Sequence, residues 1–394
     1  MVRQAALLTD LRSIAGAENL RPGSDEFAVD GVTPQAIVRP ATVKAAAAVI
    51  GHANETRLAV IPIGGKQRGG PGNVPERYDI ALDVTALSGV VEYEPDDLTI
   101  TCGAGMTLAE LRKTTAAAGQ MVGFDPEIAD EATVGGALAA DLWGPSRVSL
   151  GGPRDFTIGL RVITGDGLIT RAGGRVVKNV AGYDLCKLYV GSLGTLAVVT
   201  EATFKVQPLP KATRQIAFTA GSAAAACGIA SDSLMRGLSL RSAVVTRAEE
   251  RWRLDIALAG SEAAVERSAR ELASLAGDGE QETGDSGERP NERPIGVRIA
   301  ALPSKLPALL EELPVGASFL AYPTLGVVRL RLRDEGELPS LIAMGAIVED
   351  APPEVKRGID VFGPEPPALP LMRSIKAQLD PNSVLSPGRF VGRI

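Results

Sequence analysis

One feature narrows the folds open to this chain more than any other: an apolar stretch that reads as a strand over residues 58–63 and runs without a break into Gly64-Gly65-Lys66-Gln67-Arg68-Gly69-Gly70-Pro71-Gly72. Glycine has no Cβ and tolerates positive φ, so consecutive N–H groups in such a loop can turn inward around an anion, typically a phosphate or pyrophosphate. Lys66 and Arg68 add positive charge to the same loop. The pattern equally suits a solvated surface turn with two basic residues.

The flanking sequence says where the loop sits. Leu7, Leu8, Leu11 and Ile14 form the apolar stripe of a first helix that ends near Gly16. Residues 37–42 read as a strand, and Thr42 is placed to cap an alanine-rich helix that runs to about Asn54. After the loop, residues 80–84 resume as a strand, and this strand, helix, strand order predicts a parallel α/β unit. From Val90 the strands shorten, over 90–93 and 98–102, and Thr107 with Glu110 has the spacing of a capping box heading a helix through residue 118. Gly165-Asp166-Gly167 predicts a β-hairpin over 156–170, and 195–206 reads as two more strands before Pro208-Leu209-Pro210 closes the first domain. Beyond it, strands over 251–259, 295–300 and 327–332 alternate with helices over 261–275 and 303–313. A last helix is expected over 369–379. The polar, glycine-rich segment 277–294 predicts a solvated, mobile loop.

Two further glycine clusters follow the first, Gly103-Ala104-Gly105 and Thr133-Val134-Gly135-Gly136. The second opens a helix, where backbone can approach a flat ligand and the helix dipole favours an anion; close helix–sheet packing would call for the same residues. Three clusters within residues 64–136 favour one long, multiply phosphorylated ligand of dinucleotide size over three unrelated packing sites. Standard phosphate motifs fail in detail. A P-loop needs Ser or Thr where Gln67 stands and glycine where Val60 stands, and a Rossmann fingerprint needs glycine at Leu108.

Residue counts remove whole classes of chemistry. The chain has 394 residues and a single histidine, His52, so a Ser-His-Asp or Cys-His apparatus elsewhere and any metal site with two imidazoles are excluded. Cys102, Cys186 and Cys227 contain no Cys-x-x-Cys pair, so this chain alone builds neither an iron–sulfur cluster nor a zinc ribbon, and scattered thiols suit a reducing cytosol. A net charge of −6 argues against nucleic acid as a partner. No apolar run reaches the roughly 18 residues of a membrane span, and Asp10 cuts short the apolar N-terminal stretch. A cytoplasmic protein without signal peptide or membrane span is expected.

Several motifs resemble, in order and spacing, the vanillyl-alcohol-oxidase type (PCMH type) of FAD-binding domain. These are Ile61-Pro62-Ile63-Gly64-Gly65, Cys102-Gly103-Ala104-Gly105, Ala132-Thr133-Val134-Gly135-Gly136 and Val190-Gly191-Ser192-Leu193-Gly194-Thr195-Leu196. Gly144-Pro145-Ser146-Arg147, residues 151–156, Arg161-Val162-Ile163-Thr164-Gly165, residues 178–185 and residues 380–390 resemble more closely the small FAD subunits of glycolate oxidases. The resemblance implies an α+β fold: a PCMH-type FAD-binding domain over 1–210, with subdomains of about 1–89 and 90–210. A smaller α+β cap over 211–365, with its mobile loop 277–294, and a C-terminal segment over 366–394 returning to the FAD domain would complete it.

The same resemblance implies FAD as cofactor. Pro62, Ile63, Gly64, Gly65, Lys66, Gln67, Arg68 and Gly69 would hold its pyrophosphate, Thr133, Gly135 and Gly136 would lie along the dinucleotide, and Gly194, Val198 and Val199 would meet its adenine or flavin side. Relatives with covalent flavin carry His or Cys in these loops; here neither occurs, so non-covalent FAD is expected. The larger sister flavin subunit of such complexes uses a His-x-His metal site, which one histidine cannot copy, so no metal is expected. The implied activity is oxidation of glycolate, a 2-hydroxy acid, to glyoxylate, with electrons passed to that larger flavin subunit and an iron–sulfur subunit. These partners would leave the chain in the cytoplasm or hold it at the inner membrane. A flavin-stabilised assembly subunit and a UDP-sugar reductase on the same fold stay open. Oxidation of a 2-hydroxy acid needs a carboxylate clamp and a base. Arg329 and Arg331, two apart on one strand, share a face, and Lys178, Tyr183 and Tyr322 are candidate proton acceptors. Arg329 and Tyr322 are the catalytic candidates, although a solvated strand face and a structural tyrosine account for them as well.

Overall fold

The computed structural model describes residues 2–66, 71–123, 130–175, 183–248, 251–276, 281–282, 294–313 and 317–394. The chain divides into two compact units. Met1–Leu142, Gly152–Pro208 and Pro353–Ile394 form the first, and Trp143–Gly151 with Leu209–Pro352 form the second. Two boundaries differ from those expected. The second unit ends at Pro352 rather than near residue 365, because the Pro353–Arg357 helix buries Lys356 against Asp30 of the first. The second unit also takes Trp143–Gly151 from the middle of the first domain, because Ser149 Oγ donates to Arg241 O (2.8 Å) and Arg241 Nε to Ser146 Oγ (2.8 Å).

In the first unit, Thr42 caps the Val43–Thr56 helix, accepting from Ala45 N at 3.1 Å, and Ala46, Val49, Ile50 and Ala53 form its buried face. That face covers a four-stranded sheet ordered Leu20–Pro22, Ala36–Val38, Ile80–Asp83, Val60–Ile63. Its last three strands are parallel, as a helical crossover requires. Beside it lies a six-stranded antiparallel sheet in which Ala197–Pro208 pairs with Thr99–Gly103, Thr157–Thr164 and Gln120–Val122. Residues 195–206, expected as two strands, form one strand here. Register shifts at Val199/Glu201 and Thr203/Phe204 bend it. Leu11, Ile50, Val60, Ile80 and Leu82 share one core with Ile163, Val198, Val384 and Leu385, each contributing about 1.5–3 kcal/mol on burial.

The C-terminal segment completes this unit. Val60 N donates to Val384 O (2.8 Å) and Ser386 N to Val60 O (2.9 Å), so the segment pairs with the free edge of Val60–Ile63. Lys376, on the Leu369–Leu379 helix, anchors it by donating to Asp380 Oδ2 (2.6 Å), Thr195 O (2.7 Å) and Leu385 O (2.8 Å).

The second unit is built on an eight-stranded antiparallel sheet that includes Ala212–Ala220, Arg251–Gly260, Leu240–Ala248, Ser318–Tyr322 and Val327–Leu332, with the helices Ala223–Met235 and Glu262–Ala276 packed against it. Of the expected loop, Gln281–Glu282 forms a short edge strand against Ala217 and Phe218, while 277–280 and 283–293 lie outside the described residues.

Candidate functional site

The three glycine clusters lie on one another. A Cβ on Gly103 would come within 2.2 Å of Leu87 O, and one on Gly105 within 2.4 Å of Val84 O. Gly135 rests on the turn those two glycines flank: its N–H donates to Ala104 O at 2.7 Å. Gly64 and Gly65 rest in turn on residues 131–133, where added Cβ atoms would come within 2.1 Å of Thr133 Oγ1 and 2.3 Å of Glu131 O. Close packing and ligand space, set against each other in the sequence, are therefore parts of one arrangement. Side-chain-free backbone packs layer on layer, and cavities open beside the stack. Among the described residues of the loop, Lys66 (φ 56°) and Gly72 (φ 99°) have positive φ, while Gly64 and Gly65 do not.

Two cavities adjoin this stack. The larger, about 180 Å³, has apolar walls of Phe27, Val29, Ile61, Leu142 and Leu193, a rim of Gly64, Gly65 and Lys66, and Pro71 with Arg389 at its side. The smaller, about 50 Å³, is enclosed by Val84, Gly135, Tyr189, Ser192, Gly194, Ala197, Val198 and Val199. Pro62, Ile63, Gly64, Gly136 and Ala139 line both. The structure thus brings together Pro62, Ile63, Gly64, Gly65, Lys66, Thr133, Gly135, Gly136, Gly194, Val198 and Val199. Gln67, Arg68 and Gly69 lie outside the described residues. Gly136 differs from its neighbours: an added Cβ would meet only Thr133 Oγ1, at 3.2 Å, so its missing side chain leaves open space in the wall that the two cavities share.

Charge is placed unevenly around this space. Lys66 Nζ sits 4.3 Å from the Phe27 ring centroid and pairs with Glu26, whose carboxyl it holds below the usual carboxylate range. Arg389 is buried and donates to Asp30 Oδ2 (2.8 Å), Asn73 O (3.2 Å) and Pro71 O. Asn73, fully buried, donates to Asp360 Oδ1 (3.1 Å) and Phe390 O (3.0 Å), which ties the chain after the glycine loop to the C-terminal segment. Phe27, Val29, Leu193 and Arg389 escaped the sequence reading. Of these Leu193, in Val190-Gly191-Ser192-Leu193-Gly194-Thr195-Leu196, and Arg389, in Pro387-Gly388-Arg389, left a signal, each in a motif that gave the residue no role.

These residues fit a flavin dinucleotide. A small apolar slot suits a flat base, a glycine-lined shared wall suits two linked phosphates, and a larger apolar cavity bordered by a buried cation suits a wide heteroaromatic ring.

The catalytic candidates Tyr322 and Arg329 belong to the second unit. Tyr322 is fully buried, its ring edge-on to Trp143 at 5.8 Å. The Arg329 guanidinium lies 4.3 Å from the Trp143 ring centroid and 3.3 Å from the Glu349 carboxylate. Arg331 pairs with Asp350, Tyr183 is almost fully exposed, and Lys178 lies outside the described residues. Among the described residues no cluster of His, Cys, Asp and Glu could hold a metal ion, and no helix is long and apolar enough to cross a membrane.

Residues 34–173 match the FAD binding domain family. Over 335 residues the chain is 33% identical to glycolate oxidase subunit GlcE of Escherichia coli K12, covering 79% of this chain and 87% of that protein. The chain belongs to the GlcE family of glycolate oxidase subunits. Its cofactor is FAD. More partial relatives of this GlcE family member include glycolate oxidase subunit GlcD of Bacillus subtilis, 31% identical over 45% of this chain and 38% of that protein. Another is a D-lactate dehydrogenase of Archaeoglobus fulgidus, 34% identical over 48% and 44%. In structure it resembles substrate-bound p-cresol methylhydroxylase (TM-score 0.75, 16% identity, 98% of this chain and 96% of that one). It also resembles 4-ethylphenol oxidase of Gulosibacter chungangensis (TM-score 0.74, 13% identity, 99% and 97%). At these identities the likeness establishes the fold, the PCMH-type α+β FAD-binding architecture that the motifs implied.

Proposed function

We propose that this chain is the FAD-holding subunit of a glycolate oxidase complex, in which glycolate is oxidised to glyoxylate and electrons pass on to a larger flavin subunit and an iron–sulfur subunit. The observation that carries the proposal is the convergence, on two cavities that share a wall, of every described residue expected at the cofactor. In this reading Gly64, Thr133 and Gly136 hold the pyrophosphate at the shared wall, Val198 and Val199 wall the adenine, and Phe27, Val29, Leu142 and Leu193 keep water from the flavin ring. FAD, when bound, supplies the two-electron acceptor for a 2-hydroxy acid. It is held without a covalent bond, since no His or Cys lines either cavity.

Tyr322, sealed in the core of its unit, and Arg329, engaged by Glu349 and Trp143, support relay or assembly over primary substrate oxidation by this chain. The test compares the chain purified alone with the chain co-expressed with a histidine-containing flavin subunit and a cysteine-rich iron–sulfur subunit. Alone it is yellow and turns over glycolate with artificial acceptors little or not at all; with both partners activity appears. Robust turnover by the isolated chain overturns the relay and assembly reading. A folded chain that takes up no flavin overturns the whole proposal.

A further inference from the structure

Arg389 reaches the wall of the larger cavity from the C-terminal segment, 359 positions from its carboxylate partner Asp30. The three charged side chains here are almost sealed from solvent: Arg389 is 8% exposed, Asp30 6% and Lys356 0%. One carboxylate serves two cations, Asp30 Oδ1 accepting from Lys356 Nζ at 2.7 Å and Oδ2 from Arg389 at 2.8 Å. Within this triad positive charge exceeds negative, and Arg389 is the member that borders the cavity. Lys66, the other basic residue among the described residues of the wall, is partly exposed and paired with Glu26, so solvent screens it. The backbone carbonyls of Asn73 and Pro71 hold the guanidinium in place. Its field is also felt at Tyr78, where the Arg389 charge opposes the upward push of burial on the phenol. A fixed charge so poorly hydrated acts strongly on whatever shares its cavity.

We propose that Arg389, pinned by Asp30, makes the larger cavity bind flavin more tightly in its reduced, negatively charged form than in its oxidised, neutral form, and thereby raises the reduction potential of the bound FAD. Arg389 is thus a potential-setting residue, and the proposal rests on the flavin ring occupying that cavity.

The test measures the midpoint potential and the FAD dissociation constant of the wild type, Arg389→Met, Arg389→Lys and Asp30→Asn. Arg389→Met is expected to cut the preference for reduced flavin at least tenfold, a downward shift of about 30 mV for a two-electron couple. Arg389→Lys keeps most of the preference, and Asp30→Asn, which removes the opposing charge, shifts the potential upward. Sulfite, which adds to flavin to give an anionic adduct, should bind at least tenfold more weakly to Arg389→Met. Flavin bound to Arg389→Met at the wild-type potential overturns the proposal, as does a downward shift in Asp30→Asn. Loss of flavin or of folding in both Arg389 variants makes the residue one that holds cofactor or fold, and overturns it too. A wild-type chain that binds no FAD instead defeats the functional reading beneath it.

Discussion

Replacing Gly136 by alanine should move stability and flavin affinity in opposite directions. Gly136 is the third residue of the Val134–Ala139 helix, where alanine is better than glycine by about 1 kcal/mol. The new Cβ meets only Thr133 Oγ1, at 3.2 Å, which asks that hydroxyl to yield by a few tenths of an ångström. The flavin-free protein should therefore be as stable as the wild type or more stable by up to about 1 kcal/mol. The same methyl group stands in the wall that the two cavities share, and overpacking of this kind costs about 1–3 kcal/mol. At about 1.4 kcal/mol per tenfold, FAD should bind roughly 5- to 140-fold more weakly. Urea unfolding of the deflavinated protein reads the first quantity, and titration of FAD by fluorescence quenching reads the second. Gly65→Ala is the control: its Cβ would lie 2.3 Å from Glu131 O, a backbone atom, so stability and affinity should fall together. Wild-type FAD affinity in Gly136→Ala would refute the placing of the dinucleotide along that wall.

Acid precipitation should release all the flavin into the supernatant, and a yellow pellet would contradict non-covalent binding. Lys376→Met leaves the buried Asp380 carboxylate without its cation and should cost about 3–5 kcal/mol in urea unfolding; a loss under about 1 kcal/mol would show the pair to be dispensable. Burial pushes the Cys102 thiol up to about 12 and those of Cys186 and Cys227 up to about 11. All three should therefore resist iodoacetamide at pH 8 in the native protein and react once it is unfolded. Rapid native alkylation, read by mass spectrometry, would count against this burial.

Local signals were readable because they need only near neighbours. Thr42 caps its helix, Thr107 and Glu110 form both halves of their capping box, and the Leu369–Leu379 helix has the expected bounds. What failed depended on partners far along the chain. Residues 195–206 read as two strands, yet Thr200 Oγ1 donates to Arg161 O and Glu201 pairs with Arg161, and a single strand, Ala197–Pro208, runs through them. The departure of Trp143–Gly151 to the other unit is specified by Arg241 and leaves no mark on composition. At the site, the glycine loop and the Thr133 turn were legible as motifs. That they touch each other, and that Arg389 joins them, follows from contacts no local pattern encodes.

The discontinuity of the first unit has a bearing on biosynthesis. Residues 1–142 and 152–208 leave the ribosome well before Pro353–Ile394, with residues 209–352 in between. At about 5–20 residues per second that gap lasts roughly 7–30 s. Through this interval the nascent chain exposes the Val60 strand edge that Leu385 later covers, Asp30 is without both of its cations, and the larger cavity is open on its Arg389 side. Cofactor loading at that cavity therefore has to wait until Pro353–Ile394 has been made. A stalled chain presents an unpaired edge to its neighbours, so the yield of this protein should respond to chaperone supply and translation speed more than to flavin supply.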